Sequence, residues 1–144
     1  MTEDTPKPAG TQKEVGGLYD LFGTDQQSEV EGIDVEYPNG AVFTIARAGG
    51  ANKKFRNTLS RKTKAYRGRE GTIPADLDEQ WSRETFIESC LLGWKNVKIH
   101  TSEDFLPFTP ENAKKVFEAM PDLYKDLVSR AQGFESFQRE IGKN

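Results

Sequence analysis

Histidine, cysteine, serine and clustered carboxylates are the side chains that move protons, attack carbonyls or hold metals. This sequence supplies few of them in usable patterns. His100 is the one histidine and Cys90 the one cysteine. A Ser-His or Cys-His nucleophile pair would have to use His100, and no G-x-S-x-G elbow precedes any serine. Beside Ile99, His100 reads as a structural or solvent-facing residue. A structural zinc centre takes about four Cys or His ligands, so Cys90 and His100 are too few. Asp76, Asp78 and Glu79 are better explained as acids gathered at a helix N-terminus, where the helix dipole favours them. The run Ala48-Gly49-Gly50-Ala51-Asn52-Lys53-Lys54 lacks the G-x-x-x-x-G-K-[ST] spacing of a phosphate cradle and reads as a strand-to-helix turn. These residues point away from an enzyme, with no catalytic residues, no metal and no cofactor, and toward a protein that acts by binding.

Two features could carry binding. From Tyr37 to Arg69 there are nine Lys or Arg residues and no Asp or Glu, while the remainder holds eleven basic and twenty-three acidic residues. The net charge of −3 therefore hides a bipolar layout suited to self-association or to a charged partner. Within it, Arg47 to Arg69 interleaves positive charge with Phe55 and Tyr66, a pattern compatible with phosphate contacts and base stacking. No helix-turn-helix, zinc finger or ribonucleoprotein motif accompanies it. Nucleic-acid binding through 47–69 is thus the alternative to a solvated helix face that docks an acidic protein surface. The second feature is the series Phe105, Phe108, Phe117, Tyr124, Phe134 and Phe137. Such aromatics are usually core, but one small domain can hardly bury all of them beside two tryptophans, and an exposed remainder would mark a protein contact.

The elements that would position these residues follow from pattern. A chain of 144 residues has room for one hydrophobic core. With 35% hydrophobic and 30% charged residues it is polar enough to carry an unfolded portion. We place that portion at residues 1–17, which are almost free of apolar side chains, and a single domain at 18–144. No apolar run approaches the ~18 residues of a membrane span, and the N-terminus lacks a signal-peptide pattern, so a cytoplasmic location is expected. Lone Cys90, beside Leu91 and Leu92, reads as a buried thiol. Leu18 to Phe22 is a short apolar patch.

Ile33, Val35 and Tyr37 alternate with charged residues as a half-buried strand does. Pro38-Asn39-Gly40 supplies turn chemistry, so 32–47 is expected to form a β-hairpin. Helices are expected over about 51–66, 77–93, 110–119 and 121–132, which makes the fold α+β and mainly helical. The second begins with an Asp76/Glu79 capping box and places Leu77, Trp81, Ile87, Leu91 and Trp94 at helical intervals, with both tryptophans as core candidates. Val97 to His100 alternates as a short extended piece. In "FLPFTPENA" Pro107 keeps Leu106 extended, Thr109 is a good N-cap and Pro110 sits at N1, where its missing N–H costs nothing. Pro121 opens the next helix, with Leu123, Leu127, Val128, Ala131 and Phe134 on its buried face and Phe137 to Ile141 as a frayed extension.

Several segments in this order carry a resemblance. "LFGTDQQSEVEGIDVEYPNGAVFTIARAGGANKKF", "LLGWKNVK" and "LPFTPENAKKVFEAMPDLYKDLVSRAQ" resemble the tail assembly chaperones of long-tailed, siphovirus-like bacteriophages, over about residues 21–137. The pattern consists of Glu31-Gly32 after an acidic lead-in, the turn from Arg47 to Lys53, Gly93-Trp94 closing a helix, the helix start from Phe108 to Asn112, and Pro121 to Leu123. The basic segment departs from it, since its charge need not be general in that family. The resemblance implies a nonenzymatic protein that binds the long helical tape measure protein, keeps it soluble and helps recruit tail tube protein. It implies a place in the host cytoplasm and absence from the mature virion. It also implies, for many such proteins, a longer form made by ribosomal frameshift, and Gly142-Lys143 is compatible with a slippery GGGAAA codon pair. The partner-binding residues expected are Phe105, Phe108, Phe117, Tyr124 and Phe134, held by the rigid Pro107-to-Pro110 turn on a preformed surface, together with Arg47, Asn52, Lys53 and Phe55.

Overall fold

The alternation of Ile33, Val35 and Tyr37 becomes a strand, β1 (Ile33–Glu36), which returns through Pro38-Asn39-Gly40 into β2 (Val42–Ile45). The computed structural model that shows this describes residues 15–64 and 74–138. Val35 stands opposite Phe43 and Ile33 opposite Ile45. Gly40 takes φ +95°, which an L side chain rarely adopts, and Asn39 Oδ1 accepts the Ala41 N–H at 3.2 Å. The expected hairpin is therefore present. It is not a two-stranded unit, however. A third strand, β3 (Leu91–Lys95), pairs antiparallel with β2, giving the order β1-β2-β3 with an irregularity at Thr44/Ile45.

That strand corrects the expectation of a helix running through residue 93 and closed by Gly93-Trp94. Helix α4 (Ala75–Ser89) stops at Ser89. Leu91 and Trp94 fit helical spacing, but they serve a strand in which Leu91 lies opposite Ile45 and Trp94 opposite Phe43. Gly93 inside a helix would also cost about 1 kcal/mol relative to alanine. Pairing along β2 outweighs the local periodicity. The start of α4 differs too, because Pro74 precedes it and no side chain caps it; Asp76 and Asp78 lie in its first turn instead of forming a capping box.

Two short helices, α1 (Tyr19–Phe22) and α2 (Gln26–Glu31), precede the sheet, and α3 (Lys53–Thr63) follows β2. After β3 come α5 (Pro110–Ala119) and α6 (Pro121–Gln132), both with the expected bounds. Thr109 caps α5 as its residue type dictates, its Oγ1 accepting the Asn112 N–H at 3.0 Å, with Pro110 at the first helical position. Residues 97–100 form no strand; Val97 is buried in a loop and its carbonyl accepts the Leu106 N–H at 2.7 Å. The α+β, mainly helical class holds. Residues 1–14 of the expected 1–17 tail, the end of the first expected helix at 65–66 with Tyr66, and Gly142-Lys143 lie outside the described residues.

The core sits between the inner face of the sheet and α4, α5 and α6. Phe43, Ile45, Phe86, Leu91, Val116, Phe117 and Leu127 are all buried in one cluster. Burial removes their apolar surface from water at about 25 cal/mol per Å2. The tryptophans are less enclosed than their size suggests: Trp81 and Trp94 are both half-buried. Trp94 has a reason, since its Nε1–H must reach a partner and donates to the Leu106 carbonyl at 2.9 Å. Phe137, expected in a frayed extension, is instead fully buried in a 3-10 turn (Phe134–Phe137) behind α6.

Candidate partner-binding surface

The turn that joins β2 to α3 is built from Arg47 to Lys53, and within it the Asn52 side chain faces inward and Arg47 pairs with a buried carboxylate. Glu29, on α2, is buried. Its carboxylate accepts the Ala51 N–H at 2.9 Å and pairs with the Arg47 guanidinium. Burial pushes the Glu29 carboxyl up, but the hydrogen bonds from Ala51, Arg47 and Thr24 and the Arg47 charge outweigh it and hold the group below the usual carboxylate value. Asn52 is 5% exposed, and its Nδ2 donates to the Arg47 carbonyl at 2.8 Å and the Ser89 carbonyl at 2.9 Å. One amide thus ties the turn to the end of α4. Asn52 and Arg47 hold the fold together here, which corrects the expectation that Asn52 meets a partner. Glu29 was not anticipated at all; a charged residue in a polar stretch gives no sequence signal of burial, and only its partner 18 residues on explains it.

The aromatic residues divide. Phe117 is sealed in the core, not on a surface, because it packs between Phe86 at 6.1 Å and Tyr124 at 5.2 Å. Tyr124 is half-buried, and burial pushes its phenol pKa up. Phe134 is half-buried against Phe22, with ring centroids 5.3 Å apart. Phe55 is half-buried, while Lys53 is exposed. Phe105 and Phe108 do reach the surface, at 58% and 36% exposure. Lys98 Nζ lies 4.9 Å over the Phe105 ring, a cation–π contact, and Phe108 meets Trp94 edge-on at 5.1 Å. The turn between them is clamped: Asn112 Nδ2 donates to the Pro107 carbonyl at 2.9 Å while its N–H goes to Thr109. The stiffness expected of "LPFTPEN" is thereby accounted for by named bonds.

Phe108 also borders an open cleft between α4, β3 and the start of α5, with a volume of about 590 Å3. Its apolar lining is Ile87, Leu91, Phe108 and Pro110. Its charged lining carries both signs, with Lys62, Arg83 and Lys114 against Glu84, Glu88 and Glu111. Lys62 Nζ lies 3.5 Å from Glu84 and 3.6 Å from Glu88, and Arg61 also pairs with Glu88. The Arg61 hydrogen bond holds the Glu88 carboxyl below its ordinary value. These pairs engage part of the basic segment within the molecule. An apolar strip bordered by mixed charge is suited to noncovalent contact with an amphipathic element.

Among the described residues, no group of three or more His, Cys, Asp or Glu is placed to hold a metal ion, and no helix is long and apolar enough to cross a membrane. Cys90 is fully buried, and burial pushes its thiol up to about 11. No curated protein and no solved structure matches the chain. Residues 50–143, well over half of the sequence and including every residue of the cleft, match the family described as YdaY prophage protein, and the chain belongs to that family.

Proposed function

We propose that the protein is a phage tail assembly chaperone, which binds the tape measure protein, keeps it soluble and helps recruit tail tube subunits. The order of motifs from Leu21 to Phe137 supports this reading, and membership of a prophage family supplies a fitting context. The observation that carries it is the cleft beside Phe108, apolar along Ile87, Leu91 and Pro110, with Phe105 exposed nearby. A tape measure protein is an extended helix whose apolar stripe stays wet until the tube surrounds it. Laying one or two turns of that stripe into the cleft is helix-in-groove recognition. One such contact is weak; several copies along one rod act together through avidity, yet each remains displaceable by incoming tube subunits.

Co-expression tests the reading. The wild-type chain is expected to keep the phage's tape measure protein in the soluble fraction. The Ile87→Asp/Phe108→Ser variant, folded by circular dichroism, is expected to leave it in the pellet. A tape measure protein that stays soluble with this variant as well as with wild type contradicts the proposal.

A further inference from the structure

Val15, Leu18, Tyr19, Leu21 and Phe22 follow one another closely, and each is between 61% and 95% exposed. The C-terminal end of this stretch is anchored to the fold. Gln138 Nε2 donates to the carbonyls of Leu21 at 2.8 Å and Gly23 at 3.2 Å, the Asp25 N–H donates to the Phe137 carbonyl at 2.8 Å, and Phe22 packs on Phe134. The fold therefore fixes an apolar hook in water. Aromatic side chains carry ~150–250 Å2 each, so the hook exposes on the order of 600 Å2. That matches the largest apolar patch of an ordinary monomer and approaches the ~800 Å2 per partner of a stable interface.

Charge indicates what covers it. From Val15 to Ala46 the chain has no Lys or Arg, and Asp20 lies within the hook with Asp25 just after it. Helix α3 is the reverse, with Lys53, Lys54, Arg56, Arg61 and Lys62 and no acid. Beside α3 lies a socket of about 120 Å3, lined by Phe55, Leu59, Thr85, Phe86, Tyr124 and Val128. Thr85 Oγ1, in its wall, is buried without a hydrogen-bond partner among the described residues. A cavity of about 150 Å3 accommodates benzene, which sets the scale at one large apolar side chain.

We infer that the hook of one copy docks on the α3 face of a second copy, with Leu21 filling the socket and Asp20 beside Lys53, Lys54 and Arg56. The two surfaces differ, so each copy both gives and receives, and the contact is heterologous. It lies apart from the Phe108 cleft and is tested without a tape measure protein.

Sedimentation velocity on the full chain over a concentration series reads the result. Wild type is expected to associate reversibly. Leu18→Ser/Leu21→Ser, altered at exposed positions, is expected to weaken association at least about tenfold, as is Lys53→Glu/Lys54→Glu/Arg56→Glu. Asp20→Lys serves as the hook variant if the serine variant fails to fold. An equimolar mixture of a hook variant with the α3 variant is expected to recover association, because one intact pair of surfaces remains. A wild type that stays monomeric, a hook or α3 variant that associates like wild type, or a mixture that recovers nothing overturns the inference.

Discussion

Glu29, Arg47 and Asn52 show how few side chains hold the junction of sheet and helices. Asn52 serves two carbonyls from different elements, so Asn52→Ala leaves both without that donor. We expect a loss of about 2–3 kcal/mol in urea unfolding. Glu29 contributes through its charge. Its folded pKa is depressed, so its stabilisation is present above the unfolded carboxylate value of about 4.3 and is lost as pH falls through the folded pKa. Glu29→Gln should therefore flatten the acid side of the stability profile relative to wild type; an unchanged slope below about pH 4 would show that Glu29 titrates alike folded and unfolded. Cys90, with its thiol pushed up to about 11 and no exposure, should resist a disulfide reagent at pH 8 in the native protein and react promptly once denatured.

Among the elements, α5 and α6 were legible because their signals are local. Thr109, Pro110 and Pro121 fix helix starts whatever packs around them. Replacing the cap, Thr109→Ala, should cost about 1 kcal/mol and loosen the clamp that Asn112 places on Pro107. The hairpin was legible for the same reason, through Pro38-Asn39-Gly40. Strand β3 was not, since Leu91 and Trp94 satisfy both periods and only pairing with β2 decides between them. Helix α2 was hidden because its buried contact is a carboxylate. Of the proposed site, Phe105 and Phe108 were found by surplus aromatic count, but that count cannot say which rings fill the core, and Phe117 did. Gly32, which joins α2 to β1, is another point invisible without neighbours. It takes φ +97°, and an added Cβ would meet Leu92 Cδ1 at 2.8 Å and Thr44 Cγ2 at 3.0 Å. Gly32→Ala should lower stability by more than about 1 kcal/mol in thermal unfolding, and an unshifted Tm would mean that the junction relaxes freely.

At the scale of the whole molecule, the fold combines a rigid sheet-backed core with apolar area left on its outside. The core accounts for the sealed rings, and the clamped Pro107 turn sets Phe108 beside Ile87 and Leu91. The central claim is that this cleft shelters the apolar stripe of a partner helix. Hydrogen exchange of the backbone, measured with and without the tape measure protein, tests it most directly. The account predicts new protection concentrated in residues 80–91 and 108–114, the two walls of the cleft. Protection confined to α3, or none in either wall while the partner is bound, would contradict it.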